Sequence, residues 1–301
     1  MQIESLKMFC DLAETESFTK AAQMSSVTQS AISQQISSLE RKFHSLLVER
    51  SKKKFSLTRE GRVVYDYSKR ILATHEALQS KFQEIKSVVS GSIRVATIYS
   101  IGLHDLPPYI KKFLKSFPVV NMHVAYRHAD QVYSDVLGNV VDLGLVAYPV
   151  RDPSLEIIPL RKELLVVICH PSHAFAKARS LRVSELQGQK FIQFETDIPT
   201  RRAIDRFLKE SKVSVQTVME FDNIETVKRA VEVEAGVAIV PQPTVAQEVS
   251  KKTLVEVPLE GKNLHRPLAA IYKKNKVLSP ALKEFLAVLK DEKPAEQVVS
   301  N

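Results

Sequence analysis

The sequence predicts an α/β protein that begins with a helical unit, and three observations support this. Up to about residue 90, apolar residues recur at the spacing of amphipathic helices. Beyond Gly91, short apolar strands alternate with helices, which favours α/β units with a largely parallel sheet. The chain has 301 residues, 44% of them hydrophobic, so it is long enough for two or more units that each bury a core.

The helical unit begins with two amphipathic helices and a third one with a polar face. Residues 3–14 carry an apolar helical stripe, and Ser17 precedes a short helix from Phe18 to about Met24. After a polar break, Thr28 is a good N-cap for a third helix from Gln29 to about Phe43. Residues 46–57 then resemble a two-stranded wing with a basic tip. This order predicts a winged helix-turn-helix.

The third helix and the wing form the best candidate for reading DNA. The polar side chains of the helix recur at spacings that place them on one face, namely Gln29, Ser30, Ser33, Gln34 and Ser37. One helix fits the major groove, where glutamine bonds adenine edges and serine bonds bases or phosphates. The basic residues that follow are Arg41, Lys42, Arg50, Lys52, Lys53 and Lys54, against one acid, Glu49. They suit phosphates, with Arg50 or a wing lysine able to enter the minor groove. A solvated polar helix beside a charged loop is the alternative.

A long helix follows the wing, with Thr58 as its cap. Two sets of residues recur every seven positions, namely Val64, Ile71, Leu78 and Ile85, and Ser68, His75, Phe82 and Val89. This alternation is typical of a coiled-coil seam, so the helix is expected to pair two chains. Ser90, Gly91 and Ser92 end it.

The remaining sequence predicts the sheet and helices of the second half. The predicted strands are Ile93–Ile98, His123–Tyr126, Leu143–Ala147, Leu164–Cys169, Phe191–Phe194, Val237–Val240 and Leu268–Tyr272. The predicted helices lie near residues 105–116, 130–138, 200–210, 224–234 and 280–290. The polar tail from Asp291 is expected to fray.

Composition restricts the compartment and the partners. The net charge of +9 favours anionic partners such as nucleic acid. Only two cysteines occur, Cys10 and Cys169, which excludes a disulfide framework and favours a reducing compartment. The N-terminus has no secretory apolar region, and the longest apolar stretches are too short to cross a bilayer. We therefore expect a cytoplasmic protein with no membrane partner.

The sequence offers little for catalysis. No two of the eight glycines are separated by a single residue, and no phosphate loop occurs, so no nucleotide cofactor is expected. No nucleophile elbow is present, and we expect neither catalytic residues nor an enzyme. Residues 169–173 bring a thiol near two imidazoles, which leaves metal binding as an alternative there. A buried strand cysteine before a proline turn is the favoured interpretation, so no metal is expected.

The segment SFTKAAQMSSVTQSAISQQISSLE, Ser17 to Glu40, resembles the N-terminal signature of LysR-type transcriptional regulators. The match continues through Leu47, Arg50 and the Leu57–Gly61 run, and the layout of the whole chain is similar. The resemblance implies a division into a DNA-binding domain at 1–58, a dimerising linker helix at 59–90 and an effector-binding domain at 91–301. It also implies that Thr28, Gln29, Ser30, Ser33 and Gln34 contact DNA and that Arg50 contacts its backbone.

The chain departs from the family pattern at two places. Residues 44–48 stand where the family usually has Gly-x-Pro-Leu-Phe, which puts His44 at a helix end that often needs a positive φ. Gln34 stands where arginine is common. The fold tolerates both changes, and they leave the operator sequence open.

The resemblance further implies that the second half is two-lobed, like type 2 periplasmic binding proteins, with a small metabolite or anion between the lobes. Lobe I is expected at about 91–161 and 267–292, and lobe II at about 162–266, with crossings near Arg161 and Arg266. Cleft residues should follow strands and start helices. The candidates are Ser100, Ile101, Tyr148, Thr196, Asp197, Asn223 and Val240. Ordinary helix capping is the alternative for the polar ones, and Glu195 and Asp197 would oppose a second carboxylate.

These features together predict a regulator of promoter DNA that is controlled by a small-molecule effector. Two chains would pair through the linker helix, and the resemblance implies a homotetramer. Three other classes are open: an enzyme fused to a DNA-binding domain, a DNA-bending architectural protein without an effector, and a basic ligand-binding protein whose helices are incidental. A DNA-bending architectural protein would need no effector cleft, so that interpretation gives the α/β half no role.

Overall fold

A computed structural model describes residues 2–51, 54–85, 89–261 and 264–290. The chain divides between residues 88 and 89 into two compact units. None of the helices within the described residues is long and apolar enough to span a membrane.

Within its described residues, the first unit has four helices and a two-stranded sheet. Its elements are α1 (Ile3–Thr15), α2 (Phe18–Met24), α3 (Gln29–Phe43), β1 (Val48–Ser51), β2 (Lys54–Leu57) and α4 (Arg59–Ile85). The strands pair antiparallel, with Val48 opposite Leu57. The predicted winged helix-turn-helix is confirmed.

Capping fixes where these helices begin and end. The side chain of Ser17 accepts the backbone N–H of Lys20, and that of Thr28 accepts the N–H of Ala31 at 3.2 Å. α3 ends at Phe43, and the φ of the capping residue His44 is 52°, so the predicted positive φ at this residue is confirmed. Histidine tolerates this left-handed conformation at more cost than glycine.

The start of α4 packs tightly against the wing. The Thr58 side chain accepts the Gly61 N–H at 2.9 Å and donates to the Leu46 carbonyl at 2.7 Å. The Thr58 N–H donates to the Leu47 carbonyl at 3.1 Å. These bonds fix the direction in which α4 leaves the wing, because they cap the helix and anchor the same turn to residues 46 and 47.

At three positions of the predicted heptad seam, the side chain is packed or buried within its own chain. Val64 packs on the apolar core of the first unit and Ser68 is fully buried, whereas Val89 packs on a core of the second unit. A seven-residue repeat does not distinguish packing within a chain from packing between chains. Residues 86–88 lie outside the described residues. The exposed apolar side chains of α4 are Val63, Tyr67, Ile71, Leu78 and Phe82.

The second unit contains seven helices and nine strands among the described residues. Its strands are β3 (Gly91–Thr97), β4 (Val120–Tyr126), β5 (Leu143–Ala147), β6 (Leu155–Cys169), β7 (Lys190–Phe194), β8 (Gln216–Phe221), β9 (Ala238–Pro241), β10 (Val255–Val257) and β11 (His265–Lys273). Its helices are α5 (Tyr99–His104), α6 (Pro107–Ser116), α7 (Ala129–Leu137), α8 (Pro199–Glu210), α9 (Ile224–Glu232), α10 (Ala246–Lys251) and α11 (Pro280–Lys290).

The expectation of a largely parallel sheet is wrong, because the sheet is mixed. Its strand order is β10-β6-β11-β5-β3-β4, and β9 also pairs with β6. β3 runs parallel to β4 and β5, whereas β11 runs antiparallel to β5 and β6. β9 and β10 are also antiparallel to β6. An apolar run predicts a strand but not its direction, so the returning strands could not be recognised.

Two strands connect the two lobes of this unit. We call lobe I the part around the core that contains Ile93, Phe113 and Phe285, and lobe II the part around the core that contains Ile168 and Phe191. β6 runs from the lobe I core to the lobe II core, and β11 pairs with it between His265 and Lys273. We call the region where these two strands pair between the two lobe cores the floor.

Candidate functional site

The polar face of α3 is open to solvent. Thr28, Gln29, Ser30 and Gln34 are exposed and Ser33 is half-buried. The opposite side of the helix is fully buried in the core of the first unit, at positions Ile32, Ile36 and Leu39. The face therefore presents amide and hydroxyl groups to whatever approaches the helix.

Two hydrogen bonds tie α1 to α3 and to the turn that precedes α3. Ser5 in α1 donates to the Gln35 side chain at 2.7 Å. The Ser25 hydroxyl, in the turn before α3, donates to the Asp11 carboxylate at 2.8 Å. Burial raises the pKa of Asp11, and the Ser25 bond partly offsets that effect. These bonds make α3 a rigid support for its exposed face.

The buried Glu40 positions the start of the wing. Its Oε1 accepts the N–H of Leu47 at 3.0 Å and the N–H of Val48 at 3.4 Å. Sequence reasoning missed this residue because Glu40 looks like an ordinary residue of a helix end. An acid inside a basic segment was the available signal.

The wing brings two predicted cationic positions to neighbouring strands. The backbone of Arg50 lies in β1 and that of Lys54 in β2. Lys52 and Lys53, together with the side chains of Arg50 and Lys54, lie outside the described residues. Their assignment to phosphates stays a prediction.

In the second unit, Ser100 contacts the floor through Arg266 of β11. Ser100 is 9% exposed, and its Oγ accepts a hydrogen bond from Nη1 of Arg266 at 2.9 Å. Arg266 is 2% exposed, and its Nε donates to Oε2 of Glu163 at 2.8 Å. The positive charge at the floor is thus already balanced by a carboxylate. Because Ser100 accepts from Arg266, its hydroxyl proton can still be donated to another acceptor.

Tyr148 follows β5 and combines backbone strain with an unpaired polar atom. Its φ is 51°, in the left-handed region that tyrosine rarely adopts. Its hydroxyl and Oε1 of Glu163 are buried, and neither has a hydrogen-bond partner among the described residues. Burial raises the pKa of Tyr148 to about 12, so the phenol stays protonated near neutral pH. Strain and unpaired buried atoms concentrate at functional sites.

The other predicted cleft residues differ in their exposure and in what their side chains contact. Thr196 and Asp197 are exposed after β7, and the Asn223 side chain caps α9 by accepting the Thr226 N–H at 3.1 Å. Ile101 packs in the lobe I core, and Val240 is fully buried in the lobe II core. Thr196 and Asp197 therefore have surface to offer a ligand, and the two apolar residues do not.

A cavity of about 340 Å³ is lined by residues of both lobes. Its lining residues are Tyr99, Tyr126, Arg127, His128, Asp130, Gln131 and Asp197. The rings of Tyr99 and Tyr126 are stacked with centroids 5.6 Å apart. Sequence reasoning predicted Asp197 but missed the group after β4. Those residues follow a strand and start α7, so the rule that selected Ser100 would also have found them.

The cysteine and histidine segment after β6 is ordinary in its packing. Cys169 is buried, which raises the pKa of its thiol to about 11. Nδ1 of His170 lies 2.7 Å from the Ser172 hydroxyl, and the His173 ring packs edge-on against Phe175. In the part of the chain that the structure describes, no three His, Cys, Asp or Glu side chains are grouped to hold a metal ion.

Two family models match the chain. The model described as "Bacterial regulatory helix-turn-helix protein, lysR family" matches residues 3–62, and the one described as "LysR substrate binding domain" matches residues 86–294. The chain is 28% identical over 287 residues to the HTH-type transcriptional activator CmpR of a Synechocystis strain, covering 95% of this chain and 94% of that protein.

Solved structures share the fold. Full-length CbnR complexed with its target DNA has a TM-score of 0.66 at 20% identity and covers 96% of this chain and 99% of its own. The regulatory domain of CcmR from Synechocystis PCC6803, in complex with 2-PG, has a TM-score of 0.61 at 23% identity. It covers 67% of this chain and 96% of its own.

Proposed function

The chain belongs to the LysR family of transcriptional regulators, and from that premise we propose which of its residues read DNA and which bind an effector. The proposal that this protein reads DNA rests on one observation, the solvent-exposed polar face of α3. The proposal that an effector binds rests on the cleft between the lobes and on the strained backbone of Tyr148.

For DNA, we propose that Thr28, Gln29, Ser30, Ser33 and Gln34 lie in the major groove. The exposed amides of the two glutamines suit adenine edges, and the hydroxyls suit bases or phosphates. Arg50 and the lysines of the wing, Lys52, Lys53 and Lys54, would contact phosphates and enter the minor groove. CbnR, a protein with this fold, was solved in complex with its target DNA, which supports the proposal.

We propose that two chains pair through α4. Ile71, Leu78 and Phe82 are 37%, 55% and 57% exposed, which leaves an apolar stripe on the second half of this helix uncovered in the single chain. Pairing would cover this stripe and place two recognition helices on half-sites of an interrupted palindrome. Pairing of the second units as well would give a homotetramer.

We propose that a small metabolite or anion binds between lobes I and II. Ser100 and Tyr148 can donate hydrogen bonds from the floor, and Thr196, Asp197 and Asn223 lie at the lobe II side. Ile101 and Val240 would shape the walls from behind. The regulatory domain of CcmR, which shares this fold, was solved in complex with 2-PG, and a small ligand in that protein supports one here.

Ligand control requires that the effector bind two conformations with different affinities, since equal affinity shifts no population. We propose that the effector changes how the lobes and the paired chains sit, and thereby the bending of promoter DNA in the cytoplasm.

The proposed function is tested by selecting DNA from a random library with the full-length protein. We expect enrichment of an interrupted palindrome by the natural chain, and loss of that enrichment in the double variant Gln29→Ala and Gln34→Ala. Glu284→Ala, an exposed substitution in α11, is the control that should keep the enrichment. Enrichment of the same palindrome by the double variant would contradict the assignment.

A further inference from the structure

A hydrogen-bonded pair connects the two lobes directly. Nε2 of His104, at the end of α5 in lobe I, lies 2.6 Å from Oε1 of Glu225 in the first turn of α9 in lobe II. The His104 side chain is 14% exposed and that of Glu225 is 39% exposed. The pair therefore lies where one lobe meets the other and is partly shielded from solvent.

The lobe II end of this pair is anchored in a buried network. Nζ of Lys228 lies 3.0 Å from Oε1 of Glu225 and 2.9 Å from Oε1 of Glu248. It also donates to the Thr244 carbonyl at 3.0 Å, and the Lys228 side chain is 2% exposed. Burial raises the pKa of Glu225, but its bonds with His104 and Lys228 outweigh this and leave the pKa below its usual value. Glu225 is thus held in place and kept ionised at neutral pH.

The lobe I end is held equally firmly. Asp105, directly after His104, accepts a hydrogen bond from Nε of Arg161 at 2.9 Å. The Arg161 guanidinium stacks 4.5 Å from the ring of Tyr109. At the other end of α5, Ser100 is bonded to Arg266. The short helix is therefore fastened to both crossing strands, β6 and β11, so it cannot move freely to follow α9 if the lobes separate.

We propose that His104 and Glu225 form an interlobe latch, which sets how much of the protein has a closed cleft in the absence of any effector. A bond between two anchored groups adds to the free energy of the closed arrangement and is lost when the lobes part. The proposal goes beyond the proposed function, because it concerns the resting equilibrium of the second unit and holds whatever ligand binds there.

Several charged pairs lie within one lobe and supply a matched control. Arg182 and Glu185 are 3.5 Å apart in lobe II, with side chains 72% and 40% exposed. Breaking this pair removes an ion pair without touching the cleft. A change that both Arg182→Ala and His104→Ala produce would be a general effect of lost charge.

The test measures the distance between the lobes in the full-length protein. Spin labels are placed at Glu284→Cys on α11 and Lys209→Cys on α8, both exposed positions. The natural Cys10 and Cys169 are buried, so their thiols are poorly accessible to the label. Labelled chains are mixed with excess unlabelled chains, so that the two labels of each measured pair belong to the same chain.

We expect one dominant distance for the natural chain. His104→Ala and Glu225→Gln should each raise the ratio of longer to shorter distances about five- to tenfold, which is the range for a partly exposed charge-assisted bond. In the variant with both substitutions, the ratio of longer to shorter distances should be no higher than in His104→Ala alone, because both substitutions remove the same interaction. Thermal unfolding of each variant checks that it folds.

Three results would overturn the latch. The first is an unchanged distance distribution in His104→Ala. The second is an equal shift in Arg182→Ala. The third is a double variant whose shift is the sum of the two single shifts, since independent contributions mean that the two residues do not act on each other.

Discussion

A Cβ atom at Gly61 would lie 2.0 Å from the carbonyl oxygen of Leu47. That oxygen already accepts the Thr58 N–H, so it cannot move away without breaking the junction between wing and helix. Glycine is therefore required here by close approach of two backbones rather than by a turn.

We predict that Gly61→Ala destabilises the first unit by about 1–3 kcal/mol, the usual cost of forcing extra atoms into a packed site. Alanine has the better helix propensity, so an effect of propensity alone would stabilise the helix instead. Chemical denaturation of the full-length protein measures the change. Arg62→Ala, at the next and exposed position, serves as control and should change stability little. A Gly61→Ala variant as stable as the natural chain would show that the junction can relax.

We predict that Ser100→Ala lowers the thermal stability of the second unit and weakens its response to ligand. The substitution leaves Nη1 of the buried Arg266 without this acceptor, at a cost of about 1–3 kcal/mol. Any metabolite that raises the melting temperature of the natural chain should raise that of Ser100→Ala less. DNA affinity should be retained, and the exposed Ser92→Ala should behave as the natural chain. An unchanged ligand response would remove Ser100 from the cleft.

Asp142 makes the folding stability of the protein depend on pH in a predictable direction. Burial raises the pKa of this carboxyl, but the charges of Lys276 and Arg94 outweigh it and hold the pKa below its usual value. Asp142 accepts Nζ of Lys276 at 2.9 Å and the backbone N–H of Arg94 at 2.8 Å. Because the folded-state pKa is lowered, the stabilisation is complete above the unfolded-state pKa and is lost as the pH falls through the folded-state value.

We therefore predict that Asp142→Asn is less stable than the natural chain at pH 7, and that the difference shrinks as the pH falls below about 4. Denaturation midpoints measured from pH 7 to pH 3 check this. The exposed Asp66→Asn should show no such convergence. A stability difference that is constant with pH would mean that the charge of Asp142 does not stabilise lobe I.

For the wing, we predict that Lys53→Ala weakens binding to specific and random DNA by the same factor. A phosphate contact carries no sequence information, and its loss releases one fewer counterion, so the slope of log affinity against log salt falls by about 1. Titrations at several salt concentrations measure both quantities. A loss confined to the specific site would instead place Lys53 at a base.

The sequence predicted the first unit well because its information is local. The caps at Thr28 and Thr58 and the positive φ at His44 follow from residues adjacent to the positions they control. The exposed face of α3 follows from helical periodicity alone.

The second unit was predicted less well because its decisive contacts join distant residues. Arg266 and Glu163 are 103 residues apart, and His104 and Glu225 are 121 apart. β8 was missed because five of its six residues are exposed and give no apolar run. The antiparallel return of β11 against β6 is a property of topology, which apolar patterns do not encode.

Whether α3 reads base edges is decided by measuring how Gln34→Ala binds DNA. Gln34 is exposed on α3, so its removal leaves the core of the first unit intact. If Gln34 reads a base edge, affinity for the selected operator should fall by about 1–3 kcal/mol, the value of one good base contact, while affinity for random DNA is unchanged. Equal loss on both DNAs, or no loss on either, would contradict base reading by α3.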